Sequence, residues 1–176
     1  MKKVVFTMFM VAVAYTVNSQ ENNGQTAKGK VLIELNTQMG SSNQAFTNTG
    51  ISFINVHGYN AWSLGLGGGY FVADNLAVKA GFGYRGGSNG SSSSFAYRFG
   101  AKYYLKGKIP FEVDVSGSNV DVFSDKPLFV GLSGGYAFFL GDKLSIEPKL
   151  QYSIPLKNKL FLKKSLSLGV SFAIHL

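Results

Sequence analysis

The sequence predicts an all-β chain: an eight-stranded antiparallel up-and-down transmembrane β-barrel. Three observations predict it. Apolar residues recur at every second position in eight segments. Tight and long connections alternate between those segments. No charged residue falls on the apolar face of any segment.

The chain has 176 residues, enough for one domain, with 22 Gly, 4 Pro and no Cys. The lack of Cys excludes disulfides and thiol catalysis. It starts Met1-Lys2-Lys3, followed by the apolar run "VVFTMFMVAVAYTV" and then "NSQ". A basic start, a short apolar core and small residues at its end describe an export signal over residues 1–19, cleaved between Ser19 and Gln20. Its removal takes Lys2 and Lys3 and lowers the formal charge from +8 to +6. Residues 20–29, "QENNGQTAKG", read as a short polar leader, and residues 30–176 as the barrel domain.

The strands are expected near 30–39, 61–72, 76–85, 95–106, 110–118, 128–140, 144–154 and 165–176. The stretch "YFVADNLAVKAGFGY" at 70–84 shows the pattern: period-two alternation on both sides of Ala73-Asp74-Asn75. "ADN", "GKI" and "GDK" are the tight connections. The others are longer or more polar, including residues 40–60, "GGSNGSSSS" and "PLKNKLFLKK". Tight turns at one end and long loops at the other describe an outer-membrane meander. "GLGGGY" at 65–70 and "GLSGGY" at 131–136 are an internal echo that suits equivalent hairpins.

Parity sorts each strand into two faces. One carries Leu64, Leu66, Tyr70, Phe99, Leu132, Leu150, Leu168 and Phe172. The other is small and polar, with the charges Glu34, Lys79, Arg85, Arg98, Lys102, Glu112, Asp114, Glu147 and Lys149. A soluble barrel would have to bury the large apolar face, which overfills a lumen of eight strands. A Lys or Arg facing the bilayer midplane would cost about 2–4 kcal/mol. The polar face is therefore expected inside, as a network of compensating charges. Aromatic residues fall into two girdles: Trp62, Tyr84, Phe95, Tyr97 and Tyr152 at the long-loop end, and Tyr70, Tyr103, Phe111, Tyr136 and Phe138 at the tight-turn end.

With the export signal, the "GYFVADNLAVKAGFGY" hairpin and the final strand "SLSLGVSFAIHL", the chain resembles the small outer-membrane β-barrel family, akin to the OmpA transmembrane domain and OmpX. The resemblance covers residues 30–176 and implies a bare barrel. It also implies a last strand read by the barrel-assembly machinery, although Leu176 stands where that signal has an aromatic residue. Pro148 is a second departure, since it lacks an N–H and implies a bulge or misplaced pairing.

No catalytic residue, metal ligand or cofactor is expected. His57 falls in the first long loop and His175 near the opposite end, so they cannot share a site. Ser124 and Asp125 could join His57 at the outer rim, as in lipid A-modifying enzymes, but no motif spacing supports this. "GLGGG" lacks the Lys-Ser/Thr and the helix of a phosphate loop. Lys157, Lys159, Lys163 and Lys164 flank the last long loop, where they would meet the phosphates of lipopolysaccharide.

The expected protein is an outer-membrane barrel of a Gram-negative cell, with a structural or surface-interaction role and no open pore. The alternative is a small channel for ions or small solutes, and a lipid A-modifying enzyme is a third reading. Expected partners are outer-membrane lipid and lipopolysaccharide, with no nucleic acid, and a monomer is expected. N-terminal sequencing of the exported protein should begin near Gln20; a chain still starting at Met1 would refute the cleaved leader.

Overall fold

The computed structural model describes residues 24–40, 50–56, 59–87, 93–119, 126–157 and 163–176. The expected export signal, the first residues of the leader, His57, Ser124, Asp125 and Lys159 lie outside these. The strands are β1 (Val31–Gly40), β2 (Ser52–Val56), β3 (Tyr59–Ala73), β4 (Leu76–Gly87), β5 (Ser94–Leu105), β6 (Ile109–Ser118), β7 (Leu128–Gly135), β8 (Phe138–Leu140), β9 (Leu144–Pro155) and β10 (Ser165–His175).

Every pairing is antiparallel. The ring closes where β1 joins β10, with Leu32 opposite His175, and where it joins β3, with Val31 opposite Tyr70. Closure through the β1–β3 pairs satisfies the sheet edges there, the condition for strands to cross lipid. Ten segments make eight staves because β7 and β8 form one, and because β2 follows β1 along the same edge of β3. Gly135 lies opposite Lys149 and Phe138 opposite Ile146, a single unbroken register on β9.

The break at Tyr136-Ala137 faces Pro148. Tyr136 N–H reaches Pro148 C=O at 3.1 Å, but Pro148 has no N–H to return. The ladder lapses there, while the register shows neither the bulge nor the mispairing expected from sequence. The Ala137 N–H bonds instead to Lys108 C=O at 2.8 Å.

β2 is the one strand that the sequence left inside a loop. Pairing of β1 with β3 stops at Glu34–Gly67, and β2 takes up the same edge of β3 from Ser63 to Tyr59. A five-residue strand is too short for its alternation to stand out from the polar loop around it.

The tight turns take left-handed backbone where the side chains permit it. Asn75 has φ 65° in the β3–β4 turn, Gly107 has φ 69° after Lys106 at 52°, and Gly141 has φ 71°. Residues 24–30 form a strap across this end of the barrel. Thr26 is buried, with its hydroxyl on Asn75 Oδ1 at 2.6 Å and its carbonyl accepting from Asn75 N–H at 2.8 Å. Gln25 donates to Gly141 C=O at 3.0 Å. Residues 24–30 are thus the floor of the barrel.

Burial is inside-out relative to a soluble protein. Leu64 is 60% exposed, Leu66 56% and Leu166 63%, whereas Glu34 and Glu147 are fully buried. On the outer face, large aromatics lie over cross-strand glycines. Trp62 covers Gly86, Tyr97 covers Gly117 and Phe111 covers Gly134, each directly opposite in register. These pairs fill the gaps that glycine leaves on a sheet.

Inside, glycines make room for charge. A Cβ on Gly100 would come within 2.9 Å of the Asp114 backbone, whereas one on Gly67 meets nothing nearer than 3.6 Å. Gly100→Ala should therefore cost about 1–3 kcal/mol through overpacking. Gly67→Ala should be neutral or stabilising by up to about 1 kcal/mol, because it narrows the unfolded chain's freedom. Urea midpoints in liposomes check the order.

Candidate functional site

The lumen is the only place among the described residues where charged side chains are brought together out of water. Alternation does the sorting: even-numbered residues of β1, β5 and β6 point inward, as do odd-numbered residues of β4 and β9. Eight of the nine predicted lumen charges are buried there. Arg85 is half-buried nearer the outer end of β4.

Glu34 of β1 is the hub. It is ion-paired with Lys79 of β4 and with Lys102 of β5. Lys79 also reaches Glu112 of β6 at 2.8 Å, and Lys102 reaches Glu147 of β9. Lys149, on β9, lies 3.7 Å from Glu112 and donates to Asn36 Oδ1 at 2.9 Å. Farther toward the long loops, Arg98 Nε lies 3.5 Å from Asp114 Oδ1. Gly131 leaves the space that Asp114 fills, since a Cβ there would lie 2.9 Å from Asp114 Cγ.

The set of four bases and four acids is neutral, and all its pairs but Arg98–Asp114 join strands that are not neighbours in the sheet. Each ion gives up hydration of several kcal/mol, so each is tolerable only with its partner in place. Between Glu34, Asn36, Lys79, Arg98 and Glu112 remains a cavity of about 10 Å³. That is room for about one water, not for a solute.

Below the network, the lumen is apolar and aromatic. His175 packs against Phe71, Tyr104 and Phe139, with ring centroids 6.1, 6.0 and 5.3 Å away. Its Nδ1 lies 3.1 Å from Gln25 C=O, an acceptor only, so Nδ1 carries a proton. Its Nε2 faces Ser145 Oγ at 3.0 Å. Ser145 and Tyr104 both donate to Glu147 Oε1, at 2.9 and 2.8 Å. The Lys102 ammonium sits 4.9 Å from the centre of the Tyr104 ring. His175 is thus a structural link between the strap, the floor and the charge network.

Sequence reasoning overlooked Asn36, Ser145 and the strap. Asn36 and Ser145 lie on the inward parity and were findable by it. Asn36 accepts from Ser171 as well as Lys149. The strap has no periodicity to betray it. Lys157, Lys163 and Lys164 are exposed at the long-loop end, apart from the lumen set. No group of three His, Cys, Asp or Glu among the described residues could hold a metal.

No protein-family model matches the chain, and no curated protein matches its sequence. Solved structures match its fold. The N-terminal β-barrel domain of Pseudomonas aeruginosa OprF is similar over 85% of this chain and 98% of that one, with a TM-score of 0.53 and 11% identity. The Yersinia pestis outer membrane protein Ail is similar over 85% of this chain and all of the other, with a TM-score of 0.47 and 12% identity. The chain has the fold of the small outer-membrane barrels.

The network predicts an ordering of losses. Glu147→Ala strips a partner from Lys102, Tyr104 and Ser145 together and leaves Lys102 excess charge. It should cost roughly 3–5 kcal/mol. Arg98→Ala, whose partner lies at 3.5 Å, should cost less. Leu64→Ala, which exchanges one contact with lipid, should cost least. Urea midpoints in liposomes check this. Leu64→Ala as the most damaging of the three would reverse the two faces.

Proposed function

We propose that the protein is an integral outer-membrane barrel whose role is structural or one of surface contact, carried by its outer loops and rims. The observation that supports this is the neutral ion-pair network that fills the lumen. A conduit needs a continuous wet path, and binding weak enough to let the solute leave. Here, Lys79, Lys102, Lys149 and Arg98 are held by acids from other strands, with about 10 Å³ left between them. The exposed apolar belt between two aromatic girdles supports insertion in a bilayer. In that frame the tight turns face the periplasm and the long connections face outside.

At the outer end, Lys157, Lys163 and Lys164 are exposed beside the last long connection, and Lys159 lies within it. They suit the phosphates of lipopolysaccharide, a contact that adds to integrity of the outer leaflet. The last strand, β10, is the segment offered to the assembly machinery during insertion. Neither a cofactor nor a catalytic step is part of this role.

The protein should fractionate with outer membrane. In planar bilayers it should give at most small, infrequent current steps. Steady porin-scale currents that persist after the loops at 40–60 and 86–94 are shortened would overturn the closed lumen and favour the channel. Recovery of the folded chain from the soluble periplasm would overturn the membrane reading. A change in lipid A mass on expression would reveal an enzyme instead.

A further inference from the structure

We infer that the tight-turn rim of the barrel is a docking ring for the anionic head groups of phospholipids in the leaflet that surrounds it. This rests on the membrane-barrel reading above and adds a ligand class at the opposite end from the loops. Five lysines gather at this rim from three separate parts of the chain. Lys28 and Lys30 come from the strap, Lys106 and Lys108 from the β5–β6 turn, and Lys143 from the β8–β9 turn. Against them stand two aspartates, Asp74 and Asp142, so the described side chains leave a surplus of three positive charges. The Asp74 carboxylate is itself engaged, accepting from the Lys28 backbone N–H at 2.8 Å. The buried charges just above the floor are turned on one another. Lys102 lies between Glu34 and Glu147 and does not offset the rim.

Position points to lipid rather than to a soluble partner. Gly29, between Lys28 and Lys30, lies beside the girdle: a Cβ on it would be 4.0 Å from Tyr70 Oη. Lys106 and Lys108 sit on the turn that closes the Leu105–Ile109 pair, next to Tyr103–Phe111. Lys143 precedes Leu144, which pairs with Leu140, both exposed on the apolar face. Each lysine therefore stands where the apolar belt ends, at head-group depth. From there its stem can lie along apolar surface while its ammonium reaches phosphate. Among the described residues the middle of the same end is uncharged, made of Gln25, buried Thr26 and buried Asn75. A ring of charge around a neutral centre fits an annulus of lipid. An acidic polymer or protein laid across the end would meet its neutral middle.

The test compares the full chain in nanodiscs of phosphatidylcholine alone and of phosphatidylcholine mixed with phosphatidylglycerol, read by backbone amide NMR. The expected result is that phosphatidylglycerol shifts the amides of residues 28–30, 105–109 and 141–144. Those shifts should be lost in the combined variant Lys28→Gln, Lys30→Gln, Lys106→Gln, Lys108→Gln and Lys143→Gln. They should be kept in Lys157→Gln/Lys163→Gln/Lys164→Gln, which alters the other end. A folded, inserted barrel whose rim amides ignore phosphatidylglycerol, or whose five-lysine variant keeps the shifts, overturns the ring and leaves the membrane reading standing. A chain that folds but does not enter either disc overturns both. Movement of the same amides by polyglutamate, in discs without phosphatidylglycerol and with no response to the lipid, replaces the lipid with a soluble acidic partner.

Discussion

Two lysines from neighbouring strands, Lys79 and Lys102, converge on Glu34, and the rest of the barrel is arranged so that they can. A lumen ringed by eight strands just accommodates its own side chains. Long charged groups can share it only if the positions around them are nearly empty. At Gly69, Gly100 and Gly131 a Cβ would press on the side chain of Lys79 or Asp114. At Gly69 the clearance is tight: a Cβ there would lie 3.0 Å from Lys79 Cγ. The glycines cost the sheet packing and backbone entropy. The ion pairs they admit tie β1, β4, β5, β6 and β9 together through the middle, where no hydrogen bond of the ladder can reach.

The outer face meets the same shortage of side chains differently. Lipid can fill gaps that a protein core could not, but Gly86, Gly117 and Gly134 are still roofed by Trp62, Tyr97 and Phe111 from the next strand. Trp62 and Tyr97 sit toward the long-loop end and Phe111 toward the tight-turn end, so these pairs also build the girdles. One set of aromatic side chains thus covers weak points of the sheet and sets the depth of the barrel in the bilayer.

The alternation of "AVKAGFGY" and the seven other segments was legible because a strand between lipid and a polar lumen has one chemistry on each face. A single inward charge, such as Lys79, then sets the phase of a whole strand. The eight buried charges lie on the parity that the alternation assigns to the lumen. Their pairing does not follow from parity, because tilt offsets the strands: Lys102 lies opposite Glu112 in the ladder yet is bonded to Glu34 and Glu147. β2 and the strap were hidden for other reasons. β2 is too short to show a period. Residues 24–30 are ordered by hydrogen bonds shared with Asn75, Gly141 and His175, none of them near in sequence. The missing donor of Pro148 does not shift the register. With pairs on both sides holding the register, β7–β8 gives up one hydrogen bond and carries on.

The neutrality of the lumen decides where the charge of this protein can act. Four buried bases offset four buried acids, so the excess of 17 Lys and Arg over 9 Asp and Glu lies outside the network. The apolar belt bears none of it, since lipid-facing positions such as Leu64, Phe99, Leu132 and Leu168 are uncharged. It is divided between the two ends of the barrel and the residues beyond them. Charge within a Debye length of a membrane surface, roughly 8–10 Å, is little screened from the phosphates there. The barrel cancels its interior charge and keeps its surplus off the apolar belt. That leaves the long outer connections as the part free to vary in what they touch.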